Sequence, residues 1–249
     1  MDKIKNAFNN KQANIGYVVA GYPSLEYTAE LINKLNDSVL DILELGIPYT
    51  DPLADGKVIF DASFSASQNG ITTDSVFEML EGVSTDKCLV FLVYANIIYA
   101  YGIDKFLSKC KKVGINGLIV PDLPCEENDE LFYKCSKLNL SLIPLISVTS
   151  EHRVSKLLKK SSGFIYGVGS IGITGGTQTP IHRLKNMVFD IKQISDLPIA
   201  IGFGIRTNKD AKEVRTYADG VIMGTALVQL SDKISVDALL IEIEKLFKE

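Results

Sequence analysis

The sequence predicts an α/β chain folded as a (β/α)8 TIM barrel. Three observations carry that expectation. Eight short apolar runs recur along the 249 residues, longer amphipathic segments stand between them, and no low-complexity or Pro/Ser-rich linker divides the chain. Alternating strand and helix patterns argue for a parallel sheet. Eight strands close such a barrel, and about 250 residues is its usual size. One domain covering residues 1–249 is therefore expected.

The apolar runs are Ile15–Ala20, Leu40–Leu45, Cys88–Tyr94, Gly117–Val120, Ser141–Ile146, Phe164–Tyr166, Ile199–Phe203 and Gly220–Met223. Several are rich in Val and Ile and apolar on both faces, as parallel strands buried between layers are. Between them, Ser24–Asn36 opens with a candidate cap at Ser24 and sets Tyr27, Leu31, Ile32 and Leu35 on one helical face. Gly102–Val113, Glu126–Leu138 and Ser235–Phe247 repeat that pattern, and Glu151–Lys159 and Asn208–Tyr217 show it less fully. Alternation alone also permits an open doubly wound sheet. That fold places a GxGxxG loop after its first strand, and Val19-Ala20-Gly21-Tyr22-Pro23 is not one.

Composition narrows the function. A hydrophobic fraction of 46% with 22% charged residues suits a sizeable core. The net charge is −4 and the lysines are scattered, as at Lys156, Lys159, Lys160, Lys245 and Lys248, which is not a nucleic-acid footprint. The cysteines, Cys88, Cys110, Cys125 and Cys135, form no CxxC pair, and the histidines are His152 and His182 alone. Neither a His/Cys metal site nor a disulfide framework is expected, in keeping with a reducing cytoplasm. Cys88 opens an apolar strand and reads as a small core residue. Met1–Lys11 lacks the apolar stretch of a signal peptide. The longest apolar run, Leu89–Tyr101, falls short of the roughly 20 residues of a membrane helix. A cytoplasmic location is expected.

In a barrel, the chemistry sits at the C-terminal ends of the strands. The second strand ends in Leu43-Glu44-Leu45-Gly46-Ile47-Pro48. Pointing inward, Glu44 would be desolvated, with its pKa raised toward neutrality. Pointing outward, it would pair with a helix lysine, and spacing alone allows both. Tyr49-Thr50-Asp51-Pro52-Leu53-Ala54-Asp55-Gly56 follows, rich in turn residues. Asp51 and Asp55 taken singly fit turn chemistry, bonding nearby backbone N–H groups.

Glycines gather at three later strand ends: Gly172-Ile173-Thr174-Gly175-Gly176, Gly202-Phe203-Gly204-Ile205 and Gly224-Thr225-Ala226. They let backbone N–H groups approach an anion, and barrels often bind phosphate there. Gly167–Pro180 holds five glycines by Gly176 and is long for a strand-to-helix loop, the pattern of a lid or a mobile segment.

The unbroken string from Leu43 to Gly56 closely resembles the signature of the tryptophan synthase alpha chain family. The resemblance extends from Tyr17 to about Gln229, with Glu44–Gly56 its most specific part. It implies that Glu44 and Asp55 are the catalytic carboxylates in cleavage of indole-3-glycerol phosphate to indole and D-glyceraldehyde 3-phosphate, a step of tryptophan biosynthesis. It implies phosphate binding by Gly175, Phe203, Gly204, Gly224 and Thr225, where Thr225 stands at a position often serine. Thr174, on the lid, would approach Asp55. Ser170 stands where some members carry a basic residue. Tyr17, Tyr94 and Tyr166 match substrate-lining positions, although core packing with a satisfied hydroxyl accounts for each equally well. Asn96 in Tyr94-Ala95-Asn96 would hold a loop, and Pro121-Asp122-Leu123-Pro124 reads as a rigid turn.

The resemblance further implies an α2β2 heterotetramer with a beta chain that holds pyridoxal phosphate and consumes the indole. No cofactor is expected in this chain. Docking would involve the loop bearing Asp51 and Pro52 and the region near Asn96. Two rivals remain. One is another phosphate-binding barrel, such as a sugar-phosphate isomerase or indole-glycerol-phosphate synthase, though no strand-end lysine stands out for the synthase. The other is a non-catalytic docking subunit that binds phosphate and activates a partner, against which both Glu44 and Asp55 speak, since a pure binding module has no need of a desolvated acid.

Overall fold

The computed structural model describes residues 2–9, 11–53, 55–150, 153–169, 180–202 and 204–248. Among them, nine parallel strands form one sheet: β1 Ala13–Val19, β2 Ile42–Gly46, β3 Cys88–Leu92, β4 Gly117–Ile119, β5 Ser141–Ile143, β6 Leu145–Ser147, β7 Ile165–Val168, β8 Ile199–Gly202 and β9 Gly220–Met223. Hydrogen bonding orders them β5-β4-β3-β2-β1-β9-β8-β7-β6. The two outermost strands are separated in the chain by Pro144 alone, so the sheet curls back on itself into a nearly closed barrel. The single fifth run of the sequence is thus split in two. Proline has no N–H to give a ladder, while its carbonyl still accepts from Tyr166 N–H at 2.9 Å.

Strand parity separates two cores, because side chains alternate across a sheet. Ala13, Ile15, Tyr17 and Val19 of β1, Cys88 and Val90 of β3 and Ile222 of β9 point into the barrel. Val18, Leu43, Leu45, Phe91 and Val221 point outward against the helices. Cys88 is buried in the interior, as expected. The polar N-terminal stretch adds an unanticipated feature. Its short helix α1, Lys3–Ala7, sends Ile4 and Ala7 into the interior cluster, and Phe8 packs on Phe164 at 5.5 Å.

The expected helices occur with trimmed ends. Leu25–Asn33 (α2) is capped by Ser24, whose hydroxyl accepts from Tyr27 N–H at 3.2 Å, and a 3-10 turn at Leu35–Asp37 follows. Ile103–Lys112 (α6), Asp129–Lys137 (α7), Val154–Leu158 (α8), Asn208–Arg215 (α10) and Val236–Phe247 (α12) match the rest. Residues 151–152 of the Glu151–Lys159 segment lie outside the described residues. Five further helices appear: α3 Lys57–Gln68, α4 Thr73–Glu81, α5 Ala95–Tyr101, α9 Ile181–Lys192 and α11 Thr225–Ser231. The apolar run Leu89–Tyr101 divides between β3 and α5. Among the described residues, no helix is long and apolar enough to cross a membrane.

Candidate active site

Parallel strands bring all their C-terminal ends to one mouth of the barrel. There a pocket is lined by Glu44 from β2, Asp55 from the loop after it, Tyr17, Tyr166, Gly204 and Thr225, with further walls. The register explains how Glu44 reaches it. Glu44 pairs with Tyr17 on one side and Val90 on the other, and both partners belong to the interior set. The inward alternative is therefore the one realised. Gly46, two residues on, also faces inward, and a methyl there would collide with the Tyr17 hydroxyl. Gly202 on β8 has the same relation to Tyr166, whose hydroxyl lies 2.6 Å from where a Cβ would stand. Two glycines thus give two tyrosine rings their space.

Glu44 is completely buried, and neither carboxylate oxygen has a hydrogen-bond partner among the described residues. Burial, then the nearby charge of Asp55, pushes its pKa from 4.5 to about 8. Burial also lifts Asp55 from 3.8 to about 6, against a hydrogen bond from the Tyr94 hydroxyl that favours the anion. Between those values Glu44 carries a proton and Asp55 a charge. Tyr17 and Tyr166 are raised well above 10.0 by burial and by both carboxylates, so they remain neutral phenols.

The remaining expected residues fall in three places. Gly204, with φ +82°, Gly224 and Thr225 line the pocket, and Thr225 begins α11. Tyr94 is not among the lining residues and meets the site through its bond to Asp55. Thr174, Gly175, Phe203 and Ser170 lie outside the described residues.

Sequence reasoning missed several contributors. Ile59, Leu92, Ile205 and Ile222 form apolar walls and carry no chemical signature. Asp122, read as part of a turn, accepts the Ala95 N–H at 2.9 Å and satisfies the first turn of α5. Ser63, buried on α3, accepts the Tyr49 N–H at 2.8 Å and donates to the Tyr49 carbonyl at 3.0 Å. The offset of 14 residues between Ser63 and Tyr49 hides that contact from any local pattern.

Known proteins resemble this chain along nearly its whole length. The family model described as tryptophan synthase alpha chain matches residues 4–245. The alpha chain of Campylobacter jejuni subsp. doylei is 45% identical over 243 residues, covering 97% of this chain and 98% of that one. The alpha chain of Petrotoga mobilis is 42% identical over 253 residues, covering 100% and 98%. Among solved structures, tryptophan synthase subunit alpha from Campylobacter jejuni superposes with a TM-score of 0.88 at 45% identity, covering 96% of this chain and 97% of that one. A Mycobacterium tuberculosis tryptophan synthase structure gives 0.89 at 30% identity, covering 98% and 95%. A signature string, a barrel of the same shape and full-length likeness agree: the chain belongs to the tryptophan synthase alpha chain family.

Proposed function

We propose that Glu44 and Asp55 carry the family's lyase reaction in this chain, the retro-aldol cleavage of indole-3-glycerol phosphate to indole and D-glyceraldehyde 3-phosphate. The observation that supports the pair is their place in one pocket, where Glu44 is fully buried without a partner among the described residues, so that burial keeps it protonated up to about 8 while Asp55 ionises above about 6. The bond from indole C3 to the side chain breaks once C3 is protonated, which leaves positive charge at the ring nitrogen. Glu44 supplies that proton as general acid. Asp55 accepts the indole N–H and stabilises the charge that develops there. The hydroxyl on the departing carbon then gives up its proton to the Glu44 carboxylate. The electron pair of the broken bond returns to the ring, and an aldehyde forms on the side chain.

Tyr17 and Tyr166, with the apolar walls, fit the indole end. Gly204, Gly224 and Thr225 fit the phosphate, together with Gly175 and Phe203, and Thr174 serves the lid. Anchoring the remote phosphate directs binding energy to orientation at C3.

A beta chain is the partner that family membership implies, and an α2β2 assembly with pyridoxal phosphate in the beta chain is the arrangement we favour. Asp51, Leu53 and Asn96 are exposed beside the barrel mouth and suit such docking, whereas Pro52 is buried. A cytoplasmic setting accords with the family's biosynthetic role.

The test is turnover of indole-3-glycerol phosphate by the purified chain, with and without a beta chain, beside Glu44→Gln. Turnover that rises with beta and vanishes in the variant, while the inert mimic indole-3-propanol phosphate still binds, is the expected result. Retained turnover in Glu44→Gln would remove Glu44 from the chemistry.

A further inference from the structure

We propose that Tyr49 is a positioning residue for the acid pair: it fixes the Tyr94 ring so that the Tyr94 hydroxyl stays on Asp55. Three separate contacts converge on Tyr49. Its backbone N–H and carbonyl are both held by the single hydroxyl of Ser63, at 2.8 and 3.0 Å. Its own hydroxyl accepts from Asn96 Nδ2 at 3.3 Å. Its ring stacks on Tyr94 with centroids 5.0 Å apart and an interplanar angle of 28°. Tyr94 in turn donates to Asp55.

The contacts come from two elements: Ser63 lies within α3, while Tyr94 is the N-cap of α5 and Asn96 lies in its first turn. Tyr49 itself belongs to the loop after β2, which also carries Asp55. The loop is therefore tied to α3 through one backbone unit and to the start of α5 through one ring. A hydroxyl that bridges both polar groups of one residue leaves that residue little freedom to shift. The stacked pair prefers this offset geometry to a slide along the ring face. Rotation of Tyr94 away from Asp55 would have to break the stack.

The consequence lies in where Asp55 holds its proton. Among the described residues, the titratable groups coupled to it are Glu44 on β2, Tyr17 on β1, Tyr166 on β7 and Tyr94. Glu44 is protonated over the range in which Asp55 titrates, and the phenols of Tyr17 and Tyr166 are neutral throughout. The Tyr94 hydroxyl is the group among these that favours the Asp55 anion. Loosening Tyr49 therefore raises the pH at which Asp55 ionises. The catalytic importance of that shift rests on the assignment of Asp55 above, whereas the shift itself does not.

The experiment follows the Asp55 carboxyl by carbon NMR across pH in the full chain labelled at aspartate, with Asp55→Asn supplying the assignment. Tyr49→Ala should move the Asp55 midpoint upward from about 6, in the same direction as Tyr94→Phe. Ser63→Ala should move it the same way by less. Tyr49→Phe keeps the ring and should hold the midpoint near its original place. Tyr49→Ala combined with Tyr94→Phe should move it no further than Tyr94→Phe alone, since both act through one hydrogen bond.

Turnover in Tyr49→Ala should fall by about tenfold or more at neutral pH, with the low-pH limb displaced upward and Tyr49→Phe restoring both. An unmoved midpoint in Tyr49→Ala and Ser63→Ala, or additive shifts in the double variant, overturns the positioning role. A displaced midpoint with unchanged turnover leaves positioning intact and removes Asp55 from the mechanism instead.

Discussion

Tyr17 and Glu44 stand opposite one another in the ladder between β1 and β2, and both side chains enter the barrel. Adjacent strands in register thus place a neutral phenol beside a carboxyl that no hydrogen bond from the described residues relieves. Most buried polar groups find partners, and both Glu44 oxygens are exceptions among the described residues.

The unequal pair predicts a bell-shaped pH profile for kcat/KM. In the proposed roles, Asp55 takes a proton below about 6 and loses the charge meant for the ring nitrogen, and Glu44 above about 8 loses the proton meant for C3. Activity should peak near 7 and fall on both sides. A profile flat from 6 to 9 would contradict the assignment of these two groups.

Glu44 should also lower stability at high pH. Its folded-state value of about 8 lies above the ordinary 4.5, so the folded chain keeps a proton that the unfolded chain releases between those limits. Stability contributed by the neutral form is present at low pH and is lost as pH rises through that window. The full loss is on the order of 5 kcal/mol at most. Glu44→Gln should therefore gain stability over the parent as pH rises from 5 to 9. Urea unfolding at both pH values measures it, and a pH-independent difference would contradict it.

Gly46→Ala should disrupt the site through Tyr17. The added methyl meets a ring enclosed by the barrel, and overpacking of that kind costs about 1–3 kcal/mol. A lowered urea midpoint together with weakened binding of indole-3-propanol phosphate is expected. Unchanged values for both would show that Tyr17 yields freely.

Asp122→Ala should remove the acceptor for the Ala95 N–H and cost about 0.5–2 kcal/mol, as loss of a helix cap does. Asp122→Asn keeps an acceptor oxygen and should recover most of it. Equal losses in both variants, measured by thermal unfolding, would assign the effect to charge.

The apolar runs were legible because a strand buried on both faces must be apolar throughout, and each run has a strand within or overlapping it. Ser24 was legible as a cap because its hydroxyl satisfies a helix N–H three residues on, and Ser235 does the same for α12. The helix Lys57–Gln68 was not. Its sequence, KVIFDASFSASQ, mixes a β-branched pair with three serines, and its place is set by Ile59, Ala62 and Ala66 packing into the barrel interior. The helix α1 escaped notice for a similar reason, since Ile4 and Ala7 form no pattern until the barrel offers them a cavity.

The sequence by itself determined the alternation of strands and helices, the family through one unbroken string that holds Glu44 and Asp55, and the glycine-rich strand ends. These are local properties, written in residues that are neighbours in the chain. Only the tertiary structure decided that Glu44 points inward, that Pro144 splits the fifth strand, that Asp122 braces Ala95, and that Tyr49 bonds to Ser63 and stacks on Tyr94. Those outcomes depend on register between strands and on contacts between residues 14 to 45 positions apart. A one-residue slip in register would have turned Glu44 to the outer face.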